Sequence, residues 1–296
     1  GAILGMAVKG DFDPNDPFTL SDPKEQAAVD ALQGEERTKA LNEARQKQWR
    51  NKCVSDTYYP GSVFKMVTAS MGLEEGIISE NTSFSCPGYY VVADRRISCW
   101  KSGGHGSETF AQGLCNSCNP VFIQVGEKLG PETFFKYFEA FGFTQKTGID
   151  LPGESRSIYY DETMGPVELA TESFGQNFSI TPIQMITAAA AVANGGYLVQ
   201  PHVVAQVIDD EGNIVRTTDT TVKRQVISNE TSRRVSAMLQ ETATTGTAKN
   251  GYIAGYRVAG KTGTSEKIAE WVAQGKQGEK KYIASYCGYA PADDPQ

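Results

Sequence analysis

Tyr58-Tyr59-Pro60-Gly61-Ser62-Val63-Phe64-Lys65 is the first of three short strings that order the chemistry of this chain. Pro60 and Gly61 punctuate the backbone, and the run after them predicts a helix from Ser62 to about Leu73. Ser62 and Lys65, three residues apart, then share a helix face and can touch. Ser62 would sit in the first turn, where backbone N–H groups are unpaired and the dipole favours developing negative charge. A serine hydroxyl attacks poorly until a neighbour removes its proton, and a neutral lysine can do so. Burial and nearby positive charge favour that neutral form. Taken alone, the string reads more simply as a capping serine with a solvated lysine.

Two further strings change that reading. Ser117-Cys118-Asn119 alternates around its cysteine, so in an extended loop Ser117 and Asn119 point the same way. The hydroxyl can relay a proton, and the amide can hold a substrate carbonyl or the lysine. Asn119 before Pro120 is also a good N-cap pair. Lys261-Thr262-Gly263-Thr264 follows a strand-like run from Tyr256 to Gly260. Lys261 and the hydroxyls of Thr262 and Thr264 can bind a carboxylate. Gly263 lets a ligand or another backbone approach, and a strand edge can pair with an extended peptide. Lys146-Thr147-Gly148 repeats three of these letters but lies at an expected helix end and turn, and receives no catalytic role.

Composition sets outer limits. The chain has 296 residues, 40% hydrophobic and 21% charged, ordinary for one large domain or two closely packed subdomains. A formal net charge of -7 with no basic, aromatic stripe argues against nucleic acid as a partner. The most apolar run, Ile183 to Ala193, is too short to span a bilayer, for which about 20 residues are needed, and reads as a buried helix. With only two histidines, His105 and His202, a Ser-His-Asp enzyme is improbable and lysine is the better base.

Along the chain, residues 2–8 read as a strand and the charged, alanine-rich residues 22–50 as one or two exposed helices. Thr82 to Trp100 suggests a hairpin turning at Ala93-Asp94-Arg95-Arg96. Pro120 to Leu129 and Pro131 to Phe141 read as helices. Thr181-Pro182 starts a helix that stops at Asn194-Gly195-Gly196. Val203 to Val215 suggests a second hairpin, Asn229 to Thr242 an amphipathic helix, and Tyr282 to Ala290 a strand.

With these strings in hand, the chain resembles the transpeptidase domain of class B penicillin-binding proteins over essentially its whole length. Supporting strings are Ala2-Ile3-Leu4-Gly5-Met6-Ala7, Thr147-Gly148-Ile149-Asp150-Leu151-Pro152-Gly153-Glu154, Ser173-Phe174-Gly175-Gln176 and Gly255-Tyr256-Arg257-Val258-Ala259-Gly260. Cys99-Trp100-Lys101 and Gly103-Gly104-His105-Gly106 look like those of Firmicute-type members, with division or sporulation roles.

The resemblance implies an α+β fold in which an antiparallel sheet flanked by helices packs on a mostly helical subdomain, with the site in the cleft between. The sheet subdomain is expected over about 1–65 and 230–296, the helical one over about 66–229. The implied reaction is peptidoglycan D,D-transpeptidation through a Ser62 acyl-enzyme, without metal or organic cofactor. Lys65, Ser117, Asn119 and Lys261 would serve catalysis, and Thr262, Gly263 and Thr264 would bind substrate. Backbone N–H groups of Ser62 and Thr264 would form the oxyanion hole. Implied partners are stem peptides ending in D-Ala-D-Ala, β-lactam antibiotics and a membrane-embedded glycosyltransferase. The expected place is the extracytoplasmic face of the bacterial membrane, reached through an N-terminal anchor outside this chain.

Two departures stand out. Asn177 replaces a glycine common in the family. The chain stops at Gln296 without the expected last strand and terminal helix. Among the six cysteines, Cys86 and Cys99 flank the predicted hairpin and can face each other, or Cys99 can reach Cys118. One such pair is expected to form a disulfide in the oxidised protein, and buried unpaired thiols are the alternative. A zinc or redox role for Cys115-Asn116-Ser117-Cys118 is weak beside its overlap with the second string. A carboxypeptidase, a β-lactamase, a β-lactam sensor and a scaffold pseudoenzyme remain as other functions. No E-x-x-L-N string supports the class A β-lactamase.

Overall fold

The computed structural model describes residues 1–267, 271–272, 275–277 and 279–295. Its first residues correct the expectation of a strand over 2–8. Only Ala2 forms a bridge, parallel to His202, and Leu4 is 98% exposed. Ile3 and Met6 pack on a small cluster of Val54, Ile149 and Ile183, but the run finds no strand partner beyond that bridge and lies extended. Residues 22–50 form two helices, α1 (Pro23–Asp30) and α2 (Gly34–Trp49). They close a small satellite core over Leu20, Val29 and Ala44. A short α3 (Lys52–Ser55) comes next.

Gly61–Phe64 is a tight 3-10 turn that feeds α4 (Lys65–Glu74). The helix expected from Ser62 is therefore two geometries in series, with the serine in the tighter one. Every residue of α4 from Lys65 to Leu73 is buried. It is the central helix, and its first turn is packed by aromatics. The ring of Phe64 lies 4.8 to 6.2 Å, centroid to centroid, from those of Phe134, Phe138, Phe143 and Phe178.

The hairpin expected over Thr82 to Trp100 splits into two pairings. β2 (Tyr89–Val92) turns at Ala93 into β3 (Arg95–Ser98), while β1 (Ser83–Cys86) pairs with β4 (Gly106–Thr109). Next come α5 (Phe110–Cys115) and α6 (Asn119–Ala140). The two helices expected on either side of Gly130 are both present: the run is interrupted at Gly130, whose φ of 72° and ψ of 164° are not helical. α7 (Pro166–Glu172) precedes α8 (Pro182–Ala193), whose capping box joins Thr181 and Gln184.

β5 (Tyr197–Leu198) pairs with β8 (Arg224–Gln225), and β6 (Gln206–Ile208) with β7 (Ile214–Thr217), which is the second predicted hairpin. α9 (Asn229–Thr244) then packs on both α4 and β9 (Ala259–Glu266). β9 begins later than the Tyr256 start read from sequence, because Tyr256 closes a turn, its N–H donating to the Ile253 carbonyl at 3.0 Å. It runs antiparallel to β10 (Tyr282–Tyr289), with Gly263 opposite Ser285. Mixed helices and antiparallel strand pairs are thus the architecture the motifs implied.

Candidate active site

Three segments meet where α4 begins, and backbone-to-backbone contact holds them there. Gly61 donates its N–H to the Gly175 carbonyl at 2.7 Å. A Cβ on Gly175 would lie 2.0 Å from the Gly61 carbonyl oxygen, and one on Gly61 would lie 2.8 Å from that of Thr264. Gly61 and Gly175 both have positive φ, at 58° and 85°. On the strand side, a Cβ on Gly263 would lie 2.9 Å from the Pro60 oxygen. No side chain larger than hydrogen fits these contacts, so the Ser62 turn is clamped between the 173–176 loop and β9.

A cleft of about 360 Å³ opens at this junction, lined by Ser62, Ser117, Asn119, Thr262, Gly263 and Thr264. All six were singled out in the sequence. Trp100, Phe174, Gln176 and Thr247 complete the lining. The first three lie in strings noted only for their resemblance, and Thr247 carried no signal. Lys65 and Lys261 lie behind the lining, each fully buried.

Lys65 is the hub. Its Nζ lies 2.8 Å from the Ser117 carbonyl oxygen, 2.8 Å from Asn119 Oδ1 and 3.2 Å from Ser117 Oγ. The first two atoms can only accept, whereas the hydroxyl can donate. A neutral amine has two N–H donors and one lone pair, so this set of partners suits it. Burial lowers the Lys65 pKa to about 7, opposed by the negative character of Cys118, Cys99 and Glu108. No hydrogen bond joins Ser62 Oγ to Lys65, although their spacing allowed contact; Ser117 occupies the lysine instead. Burial and the charge of Lys65 also push the Lys261 pKa well down. Its Nζ donates to the Thr262 carbonyl at 3.0 Å.

The second string is corrected in one respect. Cys118, not Asn119, is the N-cap residue of α6, and no side chain caps that end. Asn119 has turned its amide oxygen to Lys65. Ser117 adopts φ 55°, which aims its hydroxyl at the same amine. Asn177, at φ 70°, takes the left-handed backbone that a glycine would take freely and asparagine tolerates. The Lys146-Thr147-Gly148 string has separate work: Thr147 and Gly148 donate to the Glu154 carboxylate at 2.6 to 3.1 Å. The three cysteines expected to pair are neighbours, but all six cysteines carry free thiols.

Ser62-Val63-Phe64-Lys65, with a buried lysine three residues after the serine, is a string of the S-x-x-K type. The match to known proteins is narrower. The penicillin binding protein transpeptidase domain family matches residues 1–296, and the chain belongs to that family. It is 42% identical over 298 residues to Stage V sporulation protein D of Bacillus subtilis (strain 168), covering 100% of this chain and 42% of that protein. The chain thus spans less than half of that relative's length.

Among solved structures, it is similar to the D,D-transpeptidase domain of a peptidoglycan glycosyltransferase from Eggerthella lenta. That match has TM-score 0.81 and 27% identity, and covers 98% of this chain and 67% of that one. It is also similar to penicillin binding protein 3 of Mycobacterium tuberculosis complexed with ampicillin, with TM-score 0.77 and 28% identity over 86% of this chain and 58% of that one. The class B resemblance and the fold expected from it are borne out. No helix among the described residues is long and apolar enough to cross a membrane.

Proposed function

We propose that the chain cross-links peptidoglycan stem peptides as a D,D-transpeptidase and is acylated at Ser62 by β-lactams. The observation that carries this reading is the buried Lys65 amine, held by Ser117 and Asn119 behind the cleft that contains Ser62. Neutral Lys65 takes the Ser62 hydroxyl proton, directly or through Ser117 Oγ, as Ser62 Oγ bonds to the carbonyl carbon of the penultimate D-alanine. N–H groups of Ser62 and Thr264 receive the oxyanion. The C–N bond breaks, and the terminal D-alanine leaves with a proton delivered through Ser117. An amine from a neighbouring stem then attacks the ester, gives up a proton along the same relay and regenerates Ser62.

Lys261, Thr262 and Thr264 bind the terminal carboxylate. That anion offsets the burial cost of a charged Lys261, so substrate binding and lysine protonation reinforce each other. An extended donor peptide lies along β9 at Gly263. The full-length protein acts on the extracytoplasmic face of the membrane through an anchor, beside a membrane-embedded glycosyltransferase. The resemblance and the membership of the transpeptidase family support this placement.

Intact-mass spectrometry after incubation with benzylpenicillin tests the reading. One slowly hydrolysed adduct, absent in Ser62→Ala, is the expected result. Rapid loss of the adduct would indicate a β-lactamase. Absence of any adduct on folded protein would favour a scaffold.

A further inference from the structure

Four ligand-type side chains converge beside the cleft. Cys86, Cys99, His105 and Cys118 offer atoms that all lie within 4.8 Å of one another. Cys86 and Cys118 are fully buried, Cys99 is 6% exposed and the His105 side chain 4%. The enclosing loop is purpose-shaped. It leaves β3 at Cys99 and returns so that the His105 N–H donates to the Cys86 carbonyl at 3.0 Å. A Cβ on Gly104 would sit 2.2 Å from that same oxygen, and one on Gly88 would sit 2.5 Å from the Ser102 carbonyl oxygen. Both glycines have positive φ. Cys118 enters from the other side, at the start of α6.

The cluster is poorly matched without a cation. Three sulfurs, an imidazole and the buried Glu108 carboxylate share a space from which water is excluded. His105 Nε2 and Glu108 Oε1 have no hydrogen-bond partner, and buried polar atoms are rarely left so. Donors are already aimed at sulfur: backbone N–H groups of Lys101 and Asn119 at Cys99, and that of Val121 at Cys118. Such donors stabilise thiolates.

We propose that Cys86, Cys99, His105 and Cys118 form a tetrahedral zinc site that fixes the segment carrying Ser117 and Asn119. Sulfur and imidazole ligands select zinc over the hard cations. Zn–S bonds of about 2.3 Å put neighbouring sulfurs about 3.8 Å apart, within reach of small rotations from the present separations. Binding forms three Zn–S bonds and one Zn–N bond and expels the remaining thiol protons, with no change of oxidation state. Glu108, held by Asn116 Nδ2 at 2.9 Å, sits 3.8 Å from His105 Nδ1, where its carboxylate favours a cation beside it. The Cys115–Cys118 spacing is a false lead, because Cys115 Sγ faces Thr245 Oγ1 at 3.7 Å. A Cys99–Cys118 disulfide would use two of these sulfurs and leave Cys86 and His105 without a role.

The test begins with the full chain, reduced and stripped of metal, titrated separately with Zn²⁺ and Co²⁺. One zinc per chain is expected, with intense tetrahedral d–d bands and thiolate-to-metal charge transfer in the Co²⁺ form. Zinc should protect Cys86, Cys99 and Cys118 from alkylation while Cys53 and Cys115 react as before. Cys86→Ser and His105→Ala should each weaken zinc binding at least tenfold, and Cys115→Ser should leave it unchanged. The proposal is overturned if folded, reduced chain takes up no zinc or if Co²⁺ gives only weak octahedral bands. It is equally overturned if Cys115→Ser abolishes binding, or if a Cys99–Cys118 disulfide forms in the presence of equimolar zinc. Because the optical signature is read on the unaltered chain, a variant that fails to fold does not decide the outcome.

Discussion

Lys65 can act as a base only in its neutral form, and its pKa of about 7 makes acylation pH-dependent in a defined direction. Below that value the amine is protonated and the Ser62 proton has no acceptor. The acylation rate by benzylpenicillin should therefore rise as pH increases through about 7, measured by stopped-flow or quenched mass spectrometry. Lys65→Ala should reduce that rate by roughly 10²–10⁴-fold, the usual reach of a positioned base. That Ser62 lies at the cleft with Lys65 behind it was legible from their string, but the direct contact that i,i+3 spacing allowed is taken by Ser117. The partners of Lys65 were only half legible. Sequence alternation brought Ser117 and Asn119 to one side, but the turn at Ser117 that gives the lysine its acceptors is a tertiary constraint.

At the scale of elements, the 3-10 turn before α4 depends on what lies under and beside it. Phe64 fills the space among four other aromatic rings, so Phe64→Ala should cost about 3–5 kcal/mol in denaturant unfolding. Gly175→Ala should abolish acylation along with stability, since its Cβ would collide with the Gly61 carbonyl. Glu172 ends α7 immediately before this loop, and burial raises its pKa to about 8 from 4.5. A carboxyl with a raised folded-state pKa loses stability as pH climbs from its unfolded value through its folded one. Thermal stability should thus fall between about pH 5 and 8 in a way that Glu172→Gln removes. Helix limits were readable where caps are local, as at Thr181. Strand partners were not: nothing near Cys86 in sequence announces that β1 pairs with β4 rather than with its neighbour β2. The strand read over residues 2–8 failed because apolar residues alone do not supply a partner edge.

At the scale of the molecule, the cleft is built from regions far apart in sequence. Residues 60–65, 117–119, 173–176 and 262–264 all contribute; Gly175 approaches Gly61 most closely, and Gly61 in turn lies against the Thr264 backbone. A chain ending before Ala259 should retain helical far-ultraviolet signal yet form no penicillin adduct, because one wall of the cleft would be missing. This separation also has a temporal meaning. Ser62 emerges from the ribosome about 200 residues before the strand that completes its surroundings. At typical synthesis rates of roughly 5–20 residues per second, that delay is on the order of 10–40 seconds. Through that interval the serine exists without its pocket, so reactivity is withheld until synthesis has passed β9. The glycine contact between the first and last parts of the site therefore acts as a completeness check on the polypeptide, expressed in backbone geometry.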